Sequence, residues 1–181
     1  MPRGRRDYLL GTNALSALAA VRGGSTAPPC VRVSEKFTQL KSDGKSRFFT
    51  SAITVGELEY GLLTAPTLNM AAQRLVRQIV DAFPGKMILH IEKGDARFHY
   101  AKLRARLFEL FAPRDAKGRA TTNYVSEWVD PTSDLKLGVN ENDIWIASLA
   151  LAHNLTLVTA DKMVHIRKAA GTALNYENWE E

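Results

Sequence analysis

The sequence predicts an α/β fold built on a mostly parallel sheet flanked by helices. Short apolar runs of strand character alternate with longer stretches of helical period. The segment 142–153 is apolar nearly all round, as a helix inside a layered structure is. No internal repeat and no clear domain boundary interrupts the 181 residues, so 1–181 reads as one domain of ordinary size.

Residues 7–11 read as a short buried strand. Ala14 to Val21 reads as a helix, with Leu15 and Leu18 three apart and Asn13 as its cap. Arg22 to Pro29 is a loop by composition, and Val31 to Leu40 a second helix closed near Ser42-Asp43-Gly44. Phe48 to Ser51 is a strand, followed by a helix over 53–63 despite two glycines. Leu68, Ala71, Ala72, Leu75, Ile79 and Ala82 recur at helical spacing, and Pro84-Gly85 stops that helix. Met87 to Leu89 is a third strand. A long helix over 95–111 buries Phe98, Leu103, Leu107 and Leu110, while Arg97, Lys102, Arg104 and Arg106 face the other way.

Residues 112–139 are the least regular stretch, and they admit a short hairpin. Irregular segments of that length are uncommon and often functional. The apolar helix over 142–153 ends at Asn154. Leu155 to Thr159 is the fourth strand, with Asp161 just past its end. Residues 162–170 read as helical, and 173–176 as a last edge strand.

Composition narrows the class. Hydrophobic residues make up 45%, enough for a core and too many for a disordered chain. A net charge of +5 and a pI of about 9.4 suit a polyanionic partner and equally suit a solvated basic surface. The single cysteine, Cys30, excludes an intrachain disulfide, no Cys/His pattern suits structural zinc, and a cytoplasmic setting is expected. No apolar run approaches the roughly 20 residues of a membrane span. The basic start, Met1 to Arg6, reads as a solvated arm before the first strand, since Tyr8-Leu9-Leu10 is too short for a secretory signal.

The chemistry sits at element boundaries. Open parallel sheets bind ligands beyond the carboxyl ends of their strands. Gly11 follows the first strand, Glu57 lies early in the helix after the second, Asp143 lies in the first turn of its helix, and Asp161 follows the fourth strand. Clustered carboxylates repel one another, and a hard divalent cation offsets that. Such a set suits phosphodiester hydrolysis; acyl transfer does not fit, because no serine or cysteine has a recognisable base beside it. Each acid has a structural reading too: Asp143 as a helix-dipole partner, Asp161 as a turn or cap residue, Glu57 as a solvated helix residue. Gly11 read alone is a flexible turn.

Four segments together carry a family resemblance. They are Tyr8-Leu9-Leu10-Gly11-Thr12-Asn13-Ala14-Leu15-Ser16, Ser51 to Gly61 around Glu57, Asn142-Asp143-Ile144-Trp145-Ile146-Ala147, and Leu157-Val158-Thr159-Ala160-Asp161. The closing Asn175 to Trp179 adds to them. In this order they resemble a PIN-domain ribonuclease, specifically a VapC-like toxin of a bacterial toxin–antitoxin pair. The resemblance implies a single-domain α/β/α sandwich, with 22–47 and 112–138 as longer inserts. It implies RNA cleavage with Mg²⁺ or Mn²⁺, tRNA being one substrate to test, a VapB-like antitoxin over the active site, and a homodimer. It maps metal ligands onto Glu57, Asp143 and Asp161. At Gly11 the family carries an aspartate, so the resemblance implies a lost ligand and an inactive or impaired enzyme. Because a toxin that cuts essential RNA selects against itself, the glycine fits a designed or spontaneous lesion; a naturally degenerate copy fits too.

Thr12, Asn13 and Thr159 could orient metal waters or carboxylates, or make only local turn bonds. Arg114, Lys117 and Arg119, in the irregular stretch, are the better substrate-contact candidates, since the cations of 97–106 read mostly as a solvated face. Tyr124 and Trp128 could stack on bases, and packing the stretch down is the simpler role. The four histidines show no pairing pattern. The competing function is a non-catalytic module that binds antitoxin or RNA. A nucleotide-binding Rossmann enzyme is disfavoured, since the first turn lacks a Gly-rich phosphate loop.

Overall fold

The computed structural model describes residues 6–66 and 70–181. The basic start (1–5) and Leu68 lie outside the described residues. Five strands form one parallel sheet: β1 (Asp7–Leu10), β2 (Arg47–Ser51), β3 (Ile88–Leu89), and, in sequence order past a separate hairpin, β6 (Thr156–Val158) and β7 (Tyr176–Glu177). The hairpin pairs β4 (Val129–Asp130) with β5 (Leu135–Lys136) antiparallel. The parallel sheet runs β3-β2-β1-β6-β7. Leu9 stands opposite Phe49 on one side and Leu157 on the other. A central parallel strand is covered on both faces and reads as an unbroken apolar run. Tyr8, Leu9 and Leu10 are accordingly buried.

The chain divides into two compact units, each assembled from separated stretches. Contiguity of sequence therefore could not reveal the division. The first comprises Met1–His90, Asn154–Lys162 and Asn175–Glu181, and holds the whole parallel sheet. Its helices are α1 (Thr12–Arg22), α2 (Pro28–Ser42), α3 (Ala52–Thr64) and α4 (Met70–Asp81). Tyr8, Leu10, Leu15, Leu18, Val33 and Val80 join in its core. Trp179, from the last residues, meets Tyr8 edge-on at 5.3 Å between ring centroids. Phe48 stacks on Tyr8 and tilts against Phe37 of α2. The stretch 22–47 thus carries a helix that builds this core.

Several boundaries differ from those read in sequence, for local reasons. The first helix starts at Thr12, with Gly11 as N-cap and no side-chain cap. Asn13 does not cap it, because its amide is drawn to Asp161. The second helix starts at Pro28, since prolines fit a first turn whose N–H groups lack helical partners anyway. Ser51 caps α3, accepting the Thr54 N–H at 3.0 Å and bonding the Thr54 hydroxyl at 2.9 Å.

The second unit, Ile91–His153 and Met163–Leu174, holds α5 (Ala101–Phe111), α6 (Glu141–Ala152), α7 (Val164–Ala170) and the β4–β5 hairpin. The long helix expected over 95–111 divides: residues Asp95–Tyr100 form a π-helical turn ahead of α5. The wider turn shifts the helical phase. Phe98 is therefore 52% exposed, Leu103 and Leu107 stay buried, Leu110 is half-buried, and Phe111 enters the stripe. Ile144, Ile146, Ala147, Leu149 and Ala150 of α6 are buried, and Trp145 stacks on Tyr100. The expected edge strand over 173–176 moves onto Tyr176–Glu177, because residues Gly171–Ala173 form a 3₁₀ turn. Two histidines do find acids: His165 Nε2 lies 3.1 Å from Asp130, and His153 Nε2 lies 4.0 Å from Asp95.

Ser51→Ala removes the cap of α3 and leaves the buried Thr54 hydroxyl without its partner. The expected loss is about 1–2 kcal/mol of unfolding free energy, read from the midpoint of a urea titration at unchanged slope.

Candidate functional site

Parallel pairing brings three loop–helix junctions of the first unit to the carboxyl ends of β1, β2 and β6. Gly11 leaves β1 with its N–H donating to Val158 O at 2.9 Å, one step beyond the ladder. Its carbonyl then accepts from Leu15 N at 3.2 Å and opens α1. The backbone there is extended, φ −80° and ψ 177°. Any L-residue adopts that conformation, so the glycine answers no backbone need. A Cβ at this position would stand 3.2 Å from Val158 O, 3.5 Å from Thr159 Cβ and 3.8 Å from Thr159 Oγ1. Position 11 thus adjoins the residue that holds Asp161.

Two polar couples join these junctions. The Thr12 hydroxyl, in the first turn of α1, donates to the Glu57 carboxylate on α3. Asn13 Nδ2 donates to Asp161 Oδ2 at 3.0 Å, and Thr159 Oγ1 lies 3.4 Å from the same oxygen. Asp161 N–H returns a bond to Thr159 Oγ1 at 3.2 Å, and Tyr176 OH donates to the Asp161 carbonyl at 2.9 Å. Thr159 is buried, Thr12, Asn13 and Glu57 are half-buried, and Asp161 is exposed. Thr12, Asn13 and Thr159 therefore all bond to one or other of these two carboxylates.

Asp143 belongs to the second unit. It sits at N3 of α6 and accepts the Asn140 N–H at 3.1 Å, with Asn140 as N-cap. This is the acid half of a capping box, so the helix-terminus role is realised at this residue.

Among the described residues, no group of three or more His, Cys, Asp or Glu side chains is placed to hold a metal ion. Within the first unit the boundary positions offer Glu57 and Asp161, and Gly11 brings no oxygen donor from a side chain.

In the second unit, the three substrate-contact candidates have structural partners to different degrees. Arg114 Nη2 donates to the Phe108 and Glu109 carbonyls at 3.3 and 3.0 Å, closing the end of α5. Arg119 meets Asp115 through Nε and Nη2 at 3.3 and 3.2 Å. Lys117 is exposed, and its N–H donates to Asp115. The Arg119 N–H is the main cause that holds the Asp115 carboxyl below the usual aspartate range, with the Lys117 N–H adding to it. Trp128 is buried, with Nε1 donating to Thr122 O at 2.9 Å, so it packs the stretch down; Tyr124 stays 70% exposed.

Sequence reasoning missed the buried hydroxyls of Thr50, Ser51 and Thr54, and the Tyr176 hydroxyl. Thr50 Oγ1 donates to Leu10 O at 3.2 Å and ties β2 to the residue before Gly11. Ser51 and Thr54 carried a readable signal, a capping serine three residues before a hydroxyl at a strand-to-helix junction. Tyr176 carried none, since its partner is a backbone carbonyl.

The PIN domain family profile matches residues 8–171. The chain therefore belongs to the PIN domain family. Among curated proteins, none matches it. Solved structures share the fold. A chain of VapBC2 from Rickettsia felis, bound to a DNA fragment from their promoter, is 23% identical with a TM-score of 0.57, over 96% of this chain and 98% of that one. FitAcB from Neisseria gonorrhoeae gives 20% and 0.59 over 95% and 97%. VapBC-5 from Mycobacterium tuberculosis, a member of the VapBC family of toxin–antitoxin systems, gives 22% and 0.52 over 95% and 96%.

Gly11→Ala tests the backbone argument. The extended conformation suits alanine and restricts the unfolded chain, while the 3.2 Å approach to Val158 O works against it. The two offset each other, and thermal unfolding is expected to shift by less than about 1 kcal/mol equivalent; a collapse in stability would show that the glycine is required.

Proposed function

We propose that this chain is a toxin-type, metal-dependent endoribonuclease whose activity is impaired at Gly11, and that a VapB-like antitoxin neutralises the active form. PIN domains are generally nucleases that use divalent metal ions, and one of the solved structures that share the fold, VapBC-5, belongs to the VapBC family of toxin–antitoxin systems. The observation that carries the reading is local to the first unit. A side chain at position 11 would meet Thr159, which bonds Asp161, and the next residue, Thr12, bonds Glu57; φ and ψ at position 11 suit an aspartate. The ends of β1, β2 and β6 supply the supporting donors of a carboxylate site there. On this reading Glu57, Asp143 and Asp161 remain as ligands, and a fourth carboxylate at position 11 restores the set for Mg²⁺ or Mn²⁺. Thr12, Asn13 and Thr159 then orient Glu57 and Asp161. The substrate is RNA, with tRNA as the first pool to test, and the setting is cytoplasmic, with a homodimer as the working form.

A second reading follows from the same gap. A PIN fold without a complete ligand set can bind antitoxin or RNA and never cut. The glycine at position 11, which brings no side-chain oxygen donor, favours it for the chain as it stands.

Cleavage of total tRNA by this chain and by Gly11→Asp, side by side with Mg²⁺ or Mn²⁺, separates the two. The ribonuclease reading expects cleavage by the aspartate form, abolished by a chelator, and little or none by the glycine form. Absence of cleavage by both supports the binding module. Titration calorimetry adds a direct check. Disturbing a group that merely supports a metal ligand costs 10–100-fold in affinity, so supplying a direct ligand should tighten Mn²⁺ binding by at least about tenfold. Equal affinities would remove Gly11 as the cause of impairment.

A further inference from the structure

The second unit carries a cleft that the carboxylate site does not use. It has a volume of about 1100 Å³ and opens between α5 and the irregular arm that follows it. Tyr100 of the π-helical turn and Arg104 and Phe108 of α5 line one side; Arg119, Asn123 and Trp128 line it from the arm. Ala101 and Ala105, one helical turn apart, line it with small side chains.

Both guanidiniums are held in place. Arg104 is bound by Glu141, by Tyr100 OH at 2.6 Å and by Asn123 O at 3.1 Å, which ties the helix wall to the arm. Arg119 is gripped by Asp115 through Nε and Nη2. A guanidinium has five N–H donors, so this grip sets the plane of Arg119 and leaves its Nη1 donors over for a ligand. At the outer edge Arg114 lies over the Phe108 ring, 4.8 Å from its centroid. The surrounding sequence is basic: residues 91–124 contain eight Lys or Arg against four Asp or Glu, so most of the chain's net +5 lies in this stretch.

We infer that this cleft binds the backbone of unpaired RNA, seating one or two nucleotides between the guanidiniums of Arg104 and Arg119. Flat cations beside an aromatic ring suit a phosphate flanked by a base, since bases stack on guanidinium planes and on ring faces. The concave shape admits a single strand, whose phosphates and bases can enter separately. A duplex presents a convex surface that reaches only the rim. Lys117, on the exposed turn, adds a further phosphate contact. The inference rests on the ribonuclease reading for the choice of RNA. It places recognition in the arm and asks nothing of the carboxylates.

The test is fluorescence anisotropy with a labelled single-stranded RNA oligonucleotide of mixed sequence. It uses the full chain as it stands, with a chelator present, so that only binding is read. Lys117→Ala combined with Arg119→Ala is expected to weaken binding on the order of tenfold. The salt dependence should fall by about 0.7 in log Kd per log salt for each phosphate that no longer meets a cation. The thermal midpoint should hold, since the Arg119 side chain is 71% exposed. Photocrosslinks from 4-thiouridine should map to 113–128 and disappear in the double variant. An unchanged affinity and salt slope, crosslinks mapping elsewhere, or a duplex competing equally well would each overturn the inference. The two readings fail separately. Restored cleavage by Gly11→Asp with unaltered binding in the double variant retires the cleft alone. Weakened binding in the double variant without cleavage by Gly11→Asp supports the cleft and retires the nuclease.

Discussion

The pairing of β1 between β2 and β6 is the constraint on which the first unit depends. Strands that run parallel end on the same side, so three junctions distant in sequence meet wherever the ladder stops. The bond from Gly11 N–H to Val158 O extends that ladder one residue beyond the strand. It fixes where α1 begins, and with it the places of Thr12 and Asn13. Thr50 repeats the device on the other side, its hydroxyl bonding the Leu10 carbonyl. Burying Tyr8, Leu9 and Leu10 supplies the driving force, since each apolar side chain taken out of water contributes roughly 1.5–3 kcal/mol.

The polar end of this sheet is organised in pairs. Each carboxylate of the first unit has a donor from the opening turn of α1: Thr12 serves Glu57, and Asn13 serves Asp161. These bonds fix where the two carboxylates stand against the opening turn of α1. Position 11 stands beside this arrangement without a side chain. The φ and ψ there suit an aspartate, and a side chain would have to accommodate the Val158 carbonyl 3.2 Å from its Cβ.

Element type was largely legible from periodicity. The strands at Tyr8–Leu10, Phe48–Ser51 and Thr156–Val158 and the all-apolar helix near Ile144–Leu149 follow from patterns that burial alone dictates. Boundaries were less legible, because capping is decided by competition. Asn13 has the chemistry of a cap and gives it up to a carboxylate 148 positions away in sequence. The division of the 95–111 segment was hidden too. A π-helical turn and an α-helical turn share almost the same residue preferences, and only the exposure of Phe98 betrays the change of phase. Glu57, Asp161, Thr12, Asn13 and Thr159 could be singled out as candidates from their places at element ends, and the structure joins them by hydrogen bonds. Tyr176 could not, since a hydroxyl bonding a backbone carbonyl leaves no pattern.

By itself, the sequence determined the fold class, the membership carried by residues 8–171, and the absence of a carboxylate at position 11. These depend on side-chain type and spacing, which the chain states directly. Only the tertiary structure decided which donor serves which acid, and that Asp143 caps α6 through Asn140. It alone decided that Arg119 is held by Asp115 at the mouth of a cleft. The physical reason is that a polar side chain has several partners of similar energy within reach. The choice among them is made by distances that exist only once the sheet has aligned its strands and the helices have packed.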